Sequence, residues 1–201
     1  MEQLPSIITA IGTIVLGWFT YNQYTKNKKT DLEIERIKRV EKDKDKVRND
    51  TISIIYRAMW KLLYELKADR VHIVQPHPLI NNMFISITFE SRRRNDTSKV
   101  SEYISNKPIS DISVFASDLA QRDFLYYKNI EKNVRDKRAK EILTISGDKA
   151  VIIKRLSNTE YDWVGSIFCE YLTNNIPPPD YAKKLMSEAA NDIQYIIPEV
   201  K

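Results

Sequence analysis

LPSIITAIGTIVLGWFTYNQY, residues 4–24, contains no charged residue, and it stands directly before a segment, 26–50, that holds ten Lys/Arg and seven Asp/Glu. That juxtaposition constrains the chain more than anything else in it. About 20 apolar residues in helical rise cross a bilayer core. Trp18, Tyr21 and Tyr24 fall at the C-terminal end of the run, where aromatic rings settle at headgroup level. A cleaved signal peptide fits badly, since no Lys or Arg precedes the apolar stretch and no A-x-A site follows it. A buried soluble helix is the plainer competitor, and the adjoining charge argues against it. The run therefore reads as an N-terminal, single-pass transmembrane helix over residues 1–25. Only Glu2 precedes it, whereas Lys26, Lys28, Lys29, Arg36, Lys38 and Arg39 follow, so the C-terminal part is expected to be cytoplasmic. Thr9, Thr13 and Gly17 recur every four residues and offer a small-residue face for self-association of the span.

Residues 26–50 read as a charged helical stalk. No Gly or Pro occurs from Thr25 to Arg70, and oppositely charged pairs such as Glu35 and Arg39 support an exposed helix. Val40, Val47 and Ile54 repeat every seven residues, a short heptad row compatible with pairing in a dimer or with a solvated single helix. Basic residues near the span would rest on anionic headgroups of the lipid bilayer.

From residue 51 to 201 the pattern is that of one domain. Ile52, Ile55, Met59, Leu62, Leu63 and Leu66 form an apolar helical stripe that needs a core to cover it. After Asp69 the period changes to two. RVHIVQ sets Val71, Ile73 and Gln75 on one face and His72 and Val74 on the other. FISITFES predicts a second strand, with Phe84, Ser86 and Thr88 opposed to Ile85, Ile87 and Phe89. DISVFASDLAQRDF predicts a short strand end and a helix capped by Ser113 or Ser117, and FLYYKNIEK predicts a third strand. VRDKRAKEILTISG predicts a helix ended by Gly147. DKAVIIKRLSN and TEYDWVGSIFCEYL predict a hairpin around 157–159, and DYAKKLMSEAANDIQYII a closing helix with Asp180 near its N-cap.

Three stretches together resemble a GAF domain, the sensory α+β fold built on a central antiparallel sheet. ADRVHIVQPHP resembles its first strand. RAKEILTISGDKAVIIKRL resembles the helix whose terminal glycine leads into a core strand. YDWVGSIFCEYL, with Val164-Gly165 before an alternating run, resembles its last strand. The resemblance implies a GAF-like central antiparallel sheet flanked by helices, preceded here by a transmembrane helix and stalk. It implies a ligand pocket between the sheet and the region after the second strand, about 91–124. The N-K-x-n-F-x-D-E pattern of cyclic-nucleotide GAF domains is absent, and no cysteine stands where a bilin would attach.

Chemistry-bearing residues are few. The chain has one cysteine, Cys169, which reads as core, and two histidines. His77, between Pro76 and Pro78, and Gln75 are candidate ligand contacts, although a turn residue and a strand end explain them as well; His72 reads as a residue of the sheet face. Arg92, Arg93 and Arg94 form a compact basic run suited to anion or lipid contact, or a solvated loop. Ser117, Asp118 and Asp123 make no triad with a histidine, glycine phosphate loops are missing, and no metal-ligand spacing occurs. The positive charge is spread thinly outside the stalk, which argues against nucleic acid as a partner. The expectation is a non-enzymatic, membrane-anchored sensory or regulatory module without a cofactor. It would act through a small-molecule ligand or protein partner and as a homodimer or higher homo-oligomer. The competing expectation is a holin-like lysis protein of a phage, whose span oligomerises while the soluble domain sets the timing.

Overall fold

The computed structural model describes residues 18, 36, 38–94, 99–101 and 103–200. The chain divides into two compact units, Met1–Asp50 and Thr51–Lys201. In the first, residues 38–50 are helical and exposed throughout, Val40 and Val47 included. The predicted span, with Thr9, Thr13 and Gly17, lies outside the described residues. Among the described residues no helix is long and apolar enough to cross a membrane.

The second unit is a six-stranded antiparallel sheet with helices on both faces. Its elements are α1 (51–65, the part of the helical stretch 38–65 that belongs to this unit), β1 (Arg70–His77), β2 (Phe84–Arg92), β3 (Lys107–Pro108), a 3₁₀ turn (Ile109–Ile112), α2 (Ser113–Gln121), β4 (Phe124–Tyr127), α3 (Ile130–Asn133), α4 (Lys137–Thr144), β5 (Ala150–Leu156), β6 (Gly165–Tyr171) and α5 (Pro179–Ile193). The strand order is β3-β2-β1-β6-β5-β4. β1 and β6 are the central pair and are buried along their whole length.

Strand periodicity divides the core in two. Val71 and Ile73 of β1, Ile152 of β5 and Ile167 and Cys169 of β6 pack with Ile55, Met59, Leu62 and Leu63 of α1 and Ala182, Met186 and Ile193 of α5. Val74, Val151, Ile153 and Phe168 point the other way, against Ile104, Ile112, Phe115 and Leu119, and Ala139 and Leu143 of α4. The apolar stripe read from the sequence of α1 is thus the stripe that covers the first face.

Four local expectations need correction. The alternation in β2 is broken by a bulge: Ile73 pairs with Phe89 and Val74 with Ile87, so Thr88 is the extra residue. Phe89 therefore joins the α1 side, and Ile85 and Ile87 the opposite one. α2 is not capped by a serine. Ser113 is its first residue, and the Phe115 N–H donates instead to the Asp136 carboxylate at 3.3 Å, which also caps α4 through the Ala139 N–H at 3.1 Å. The third predicted strand stops at Tyr127, because the Asn129 side chain accepts from the Lys132 N–H and starts α3. The hairpin return begins at Gly165 rather than near Thr159; residues 157–164 form a connection whose Trp163 ring is buried and donates to Ser166 Oγ at 3.0 Å. Gly147 has the positive φ expected of it, +80°, two residues beyond the C-cap Ile145.

Gly165 is needed for space. A Cβ there would meet the carbonyl oxygen of Val74 at 2.9 Å and Gln75 Cγ at 3.3 Å. Backbone in the central pair cannot yield cheaply, so Gly165→Ala is expected to destabilise the domain by about 1–3 kcal/mol, read as a lowered urea midpoint. An unchanged midpoint would show that β1 and β6 have slack at this crossing.

Candidate functional site

Parity along β1 sends Arg70, His72 and Val74 to the face covered by α2 and α4. Two adjoining features are built there. The first is a small, partly open cavity of about 20 Å³. Val74, Ile85, Ile112, Phe115, Leu143 and Phe168 contribute apolar walls, and His72 is the one polar side chain among its lining residues. The His72 ring stacks on Phe168 with centroids 4.9 Å apart and planes 15° from parallel, a consequence of their facing positions on β1 and β6.

The second is a buried charge cluster. Arg70 Nη1 donates to Asp148 Oδ2 at 2.9 Å and to Glu170 Oε2 at 2.6 Å, and its Nε lies 3.7 Å from Glu90 Oε1. All four residues are buried or nearly so. Arg70 and Glu170 are register partners across β1 and β6, while Asp148 enters from the turn between α4 and β5. Glu90 also accepts the Val100 and Ser101 N–H groups at 3.1 and 3.0 Å. It thereby ties down the segment that brings Ile104 to the cavity. Arg70 thus links both walls of the cavity to the sheet.

The electrostatics follow from burial. Desolvation raises Asp148 to about 6 against the pull of Arg70, and it raises Glu170 well above the usual carboxylate range, helped by Asp148. His72 is driven down to about 3 by burial and by the Arg70 charge. Its Nδ1 is 3.5 Å from Glu170 Oε2; a neutral imidazole makes this a polar contact and not an ion pair. Arg70 Nε and Nη2, Asp148 Oδ1 and His72 Nδ1 are buried with no hydrogen-bond partner.

The residues singled out by sequence lie elsewhere. Gln75 and His77 share the parity of Val71 and Ile73 and so leave the cavity face. Gln75 Nε2 donates to the Pro198 carbonyl at 3.1 Å, and His77 Nε2 is 2.9 Å from Ser86 Oγ while its ring stacks on Phe84. Arg92 ends β2 and is half-buried, Arg93 reaches the Lys67 carbonyl at 3.5 Å, and Arg94 is exposed. Cys169 is buried on the α1/α5 face, and burial pushes its thiol upward. Arg70, Glu90, Asp148 and Glu170 were not singled out by sequence. The available signal was parity: Glu170 breaks an apolar strand on the same alternation as Phe168, and Arg70 on that of His72.

No protein-family model matches the chain, and no curated protein matches it. Solved structures do. A GAF domain of Synechocystis sp. PCC6803 in its photoproduct state has a TM-score of 0.59 at 12% identity, over 72% of this chain and 90% of that one. The GAF domain/HD domain protein from Geobacter sulfurreducens gives 0.54 at 14%, over 73% and 94%. The phycocyanobilin-bound GAF domain from a cyanobacterial phytochrome gives 0.54 at 16%, over 73% and 93%. The domain therefore has the GAF-like α+β fold, as the three sequence stretches implied.

Proposed function

We propose that the chain is a membrane-anchored regulatory module whose GAF-like domain responds to a ligand, or to a partner acting on the same face, and does no chemistry of its own. The observation that carries this reading is the cavity beside His72. It lies between the sheet and two elements, α4 and the stretch that carries Val100, Ser101 and Ile104, that Asp148 and Glu90 tie to Arg70. Occupying it would move those tethers. The lack of chemistry is supported by the state of the reactive groups: His72 is neutral and enclosed, and the Cys169 thiol is buried on the opposite face. Anchoring rests on the 4–24 run, with the domain on the cytoplasmic side. The lysis-regulator alternative drew on that same run and gains no support from the folded domain.

Homodimerisation belongs to this reading. Trp60 and Tyr64 stack on the outer side of α1 at 5.6 Å and are 44% and 60% exposed. A partner helix covering this pair would join two domains through their first helices.

Native mass spectrometry of the full chain released from membranes tests the proposal. A discrete retained mass supports it, and a bare monomer recovered in the soluble fraction overturns it. Transmission has its own test, since the helix runs from 38 to 65 without a break. Arg48→Pro should interrupt it, because proline in a helix interior costs ~3 kcal/mol or more. We expect ligand-dependent changes in hydrogen exchange at 38–47 in the parent chain and none in the variant; equal responses would count against transmission through this helix.

A further inference from the structure

We infer that the cavity beside His72 selects a small, uncharged, largely apolar molecule carrying one hydrogen-bonding group, and that it rejects anions. The inference rests on the ligand reading above and narrows it. Three observations lead to it.

The walls come first. Apart from His72 the lining residues are aliphatic or phenylalanine, so most of a ligand's surface must be apolar. An apolar ligand loses nothing there, whereas each further polar group would be stranded without a partner.

His72 comes second. It is 1% exposed, its Nδ1 has no hydrogen-bond partner, and its ring is held flat against Phe168. A neutral imidazole presents one N–H and one lone pair. That is enough to orient a single hydroxyl or N–H group through the ring nitrogen that does not face Glu170.

Charge comes third. Behind His72 stand Glu170, Asp148 and Glu90 around the single guanidinium of Arg70, whose Nη1 is already shared by two carboxylates. Acid groups outnumber the cation. A carboxylate or phosphate brought into the cavity would be buried beside three acids that already share the one guanidinium, a cost that its unpartnered Nε and Nη2 offset only in part.

Size requires a wall to move. A cavity of about 20 Å³ is water-sized, while one that takes benzene is nearer ~150 Å³. One lightly anchored wall is α4, eight residues of which only Ala139 and Leu143 are buried. Its outgoing turn carries Asp148, so ligand entry would pull directly on Arg70.

The experiment uses methyl NMR of the full chain at pH 7 with three probes of similar size: phenol, toluene and benzoate. Phenol and toluene should shift the methyls of Ile104 and Leu143 and leave Ile55 and Leu62, on the other face, unmoved. Phenol should bind about fivefold more tightly than toluene, and benzoate at least about tenfold more weakly than phenol. His72→Phe should erase the preference for phenol over toluene. Leu143→Ala, which enlarges the cavity, should tighten both neutral probes by about tenfold and serves if the histidine variant does not fold. Benzoate binding at Ile104 and Leu143 as tightly as phenol overturns the ligand class and leaves ligand binding intact. Shifts confined to the α1/α5 face, or none at the cavity in either the parent or Leu143→Ala, overturn both.

Discussion

Arg70→Met is expected to destabilise the domain by about 3–5 kcal/mol, the cost of leaving buried partners of an ion pair uncompensated. Methionine fills much of the arginine's volume, so the loss should come from charge and not from a void. With the guanidinium gone, Asp148 and Glu170 would face each other and Glu90 inside the sheet, and their carboxyls would shift further upward than in the parent. The sign of the pH dependence follows. A carboxyl whose folded pKa exceeds its unfolded value binds more protons when folded, so stability is lost as pH rises from the unfolded value through the folded one. In the parent that window opens near pH 4 and passes the Asp148 value of about 6. In Arg70→Met it extends higher, and the deficit should be larger at pH 8 than at pH 5. Urea midpoints at the two pH values give the measurement. Adding Glu170→Gln should recover part of the loss by removing one buried charge. A deficit equal at both pH values and untouched by the second substitution would mean that Arg70 acts through packing alone.

The cluster also shows where sequence reading stopped. The two strand faces were legible, because burial on both sides of β1 enforces strict alternation, and Gln75 was correctly grouped with Val71 and Ile73. Which of those faces adjoins the His72 cavity was not legible: parity sorts side chains but does not say what packs on each side, and Gln75 lines a separate pocket with Leu79, Val164 and Tyr195. The bulge at Thr88 left no trace, since FISITFES alternates evenly through it. Arg70, Glu90, Asp148 and Glu170 are separated by up to 100 residues. Each alone reads as ordinary charge, and only the antiparallel register of β1 against β2 and β6 makes them one group. Asp136 is the same case in miniature. A cap that reaches across two helices cannot be found by looking for serine at a helix start.

His72→Phe should move the acid limb of the stability profile, and in the opposite sense to the carboxyls. His72 titrates near 6.5 when unfolded but is held to about 3 when folded. Between those values the unfolded chain binds the extra proton, so the native state loses stability as pH falls from 6.5 towards 3. At 1.36 kcal/mol per unit the full effect is of order 5 kcal/mol. Asp148 and Glu170 work against it over part of the same range, since they favour the folded state as pH falls. The parent profile is therefore a compromise, flatter than either contribution alone. Phenylalanine keeps a ring stacked on Phe168 and carries no proton. Removing the histidine should leave the carboxyls unopposed, so the variant gains on the parent steadily from pH 6.5 down to 4 and, above pH 7, differs from it by much less. Thermal midpoints across that range would decide it. Parallel curves would mean that folding leaves the His72 pKa unshifted, so that below pH 6.5 its contact with Glu170 becomes an ion pair and the cavity wall carries a charge.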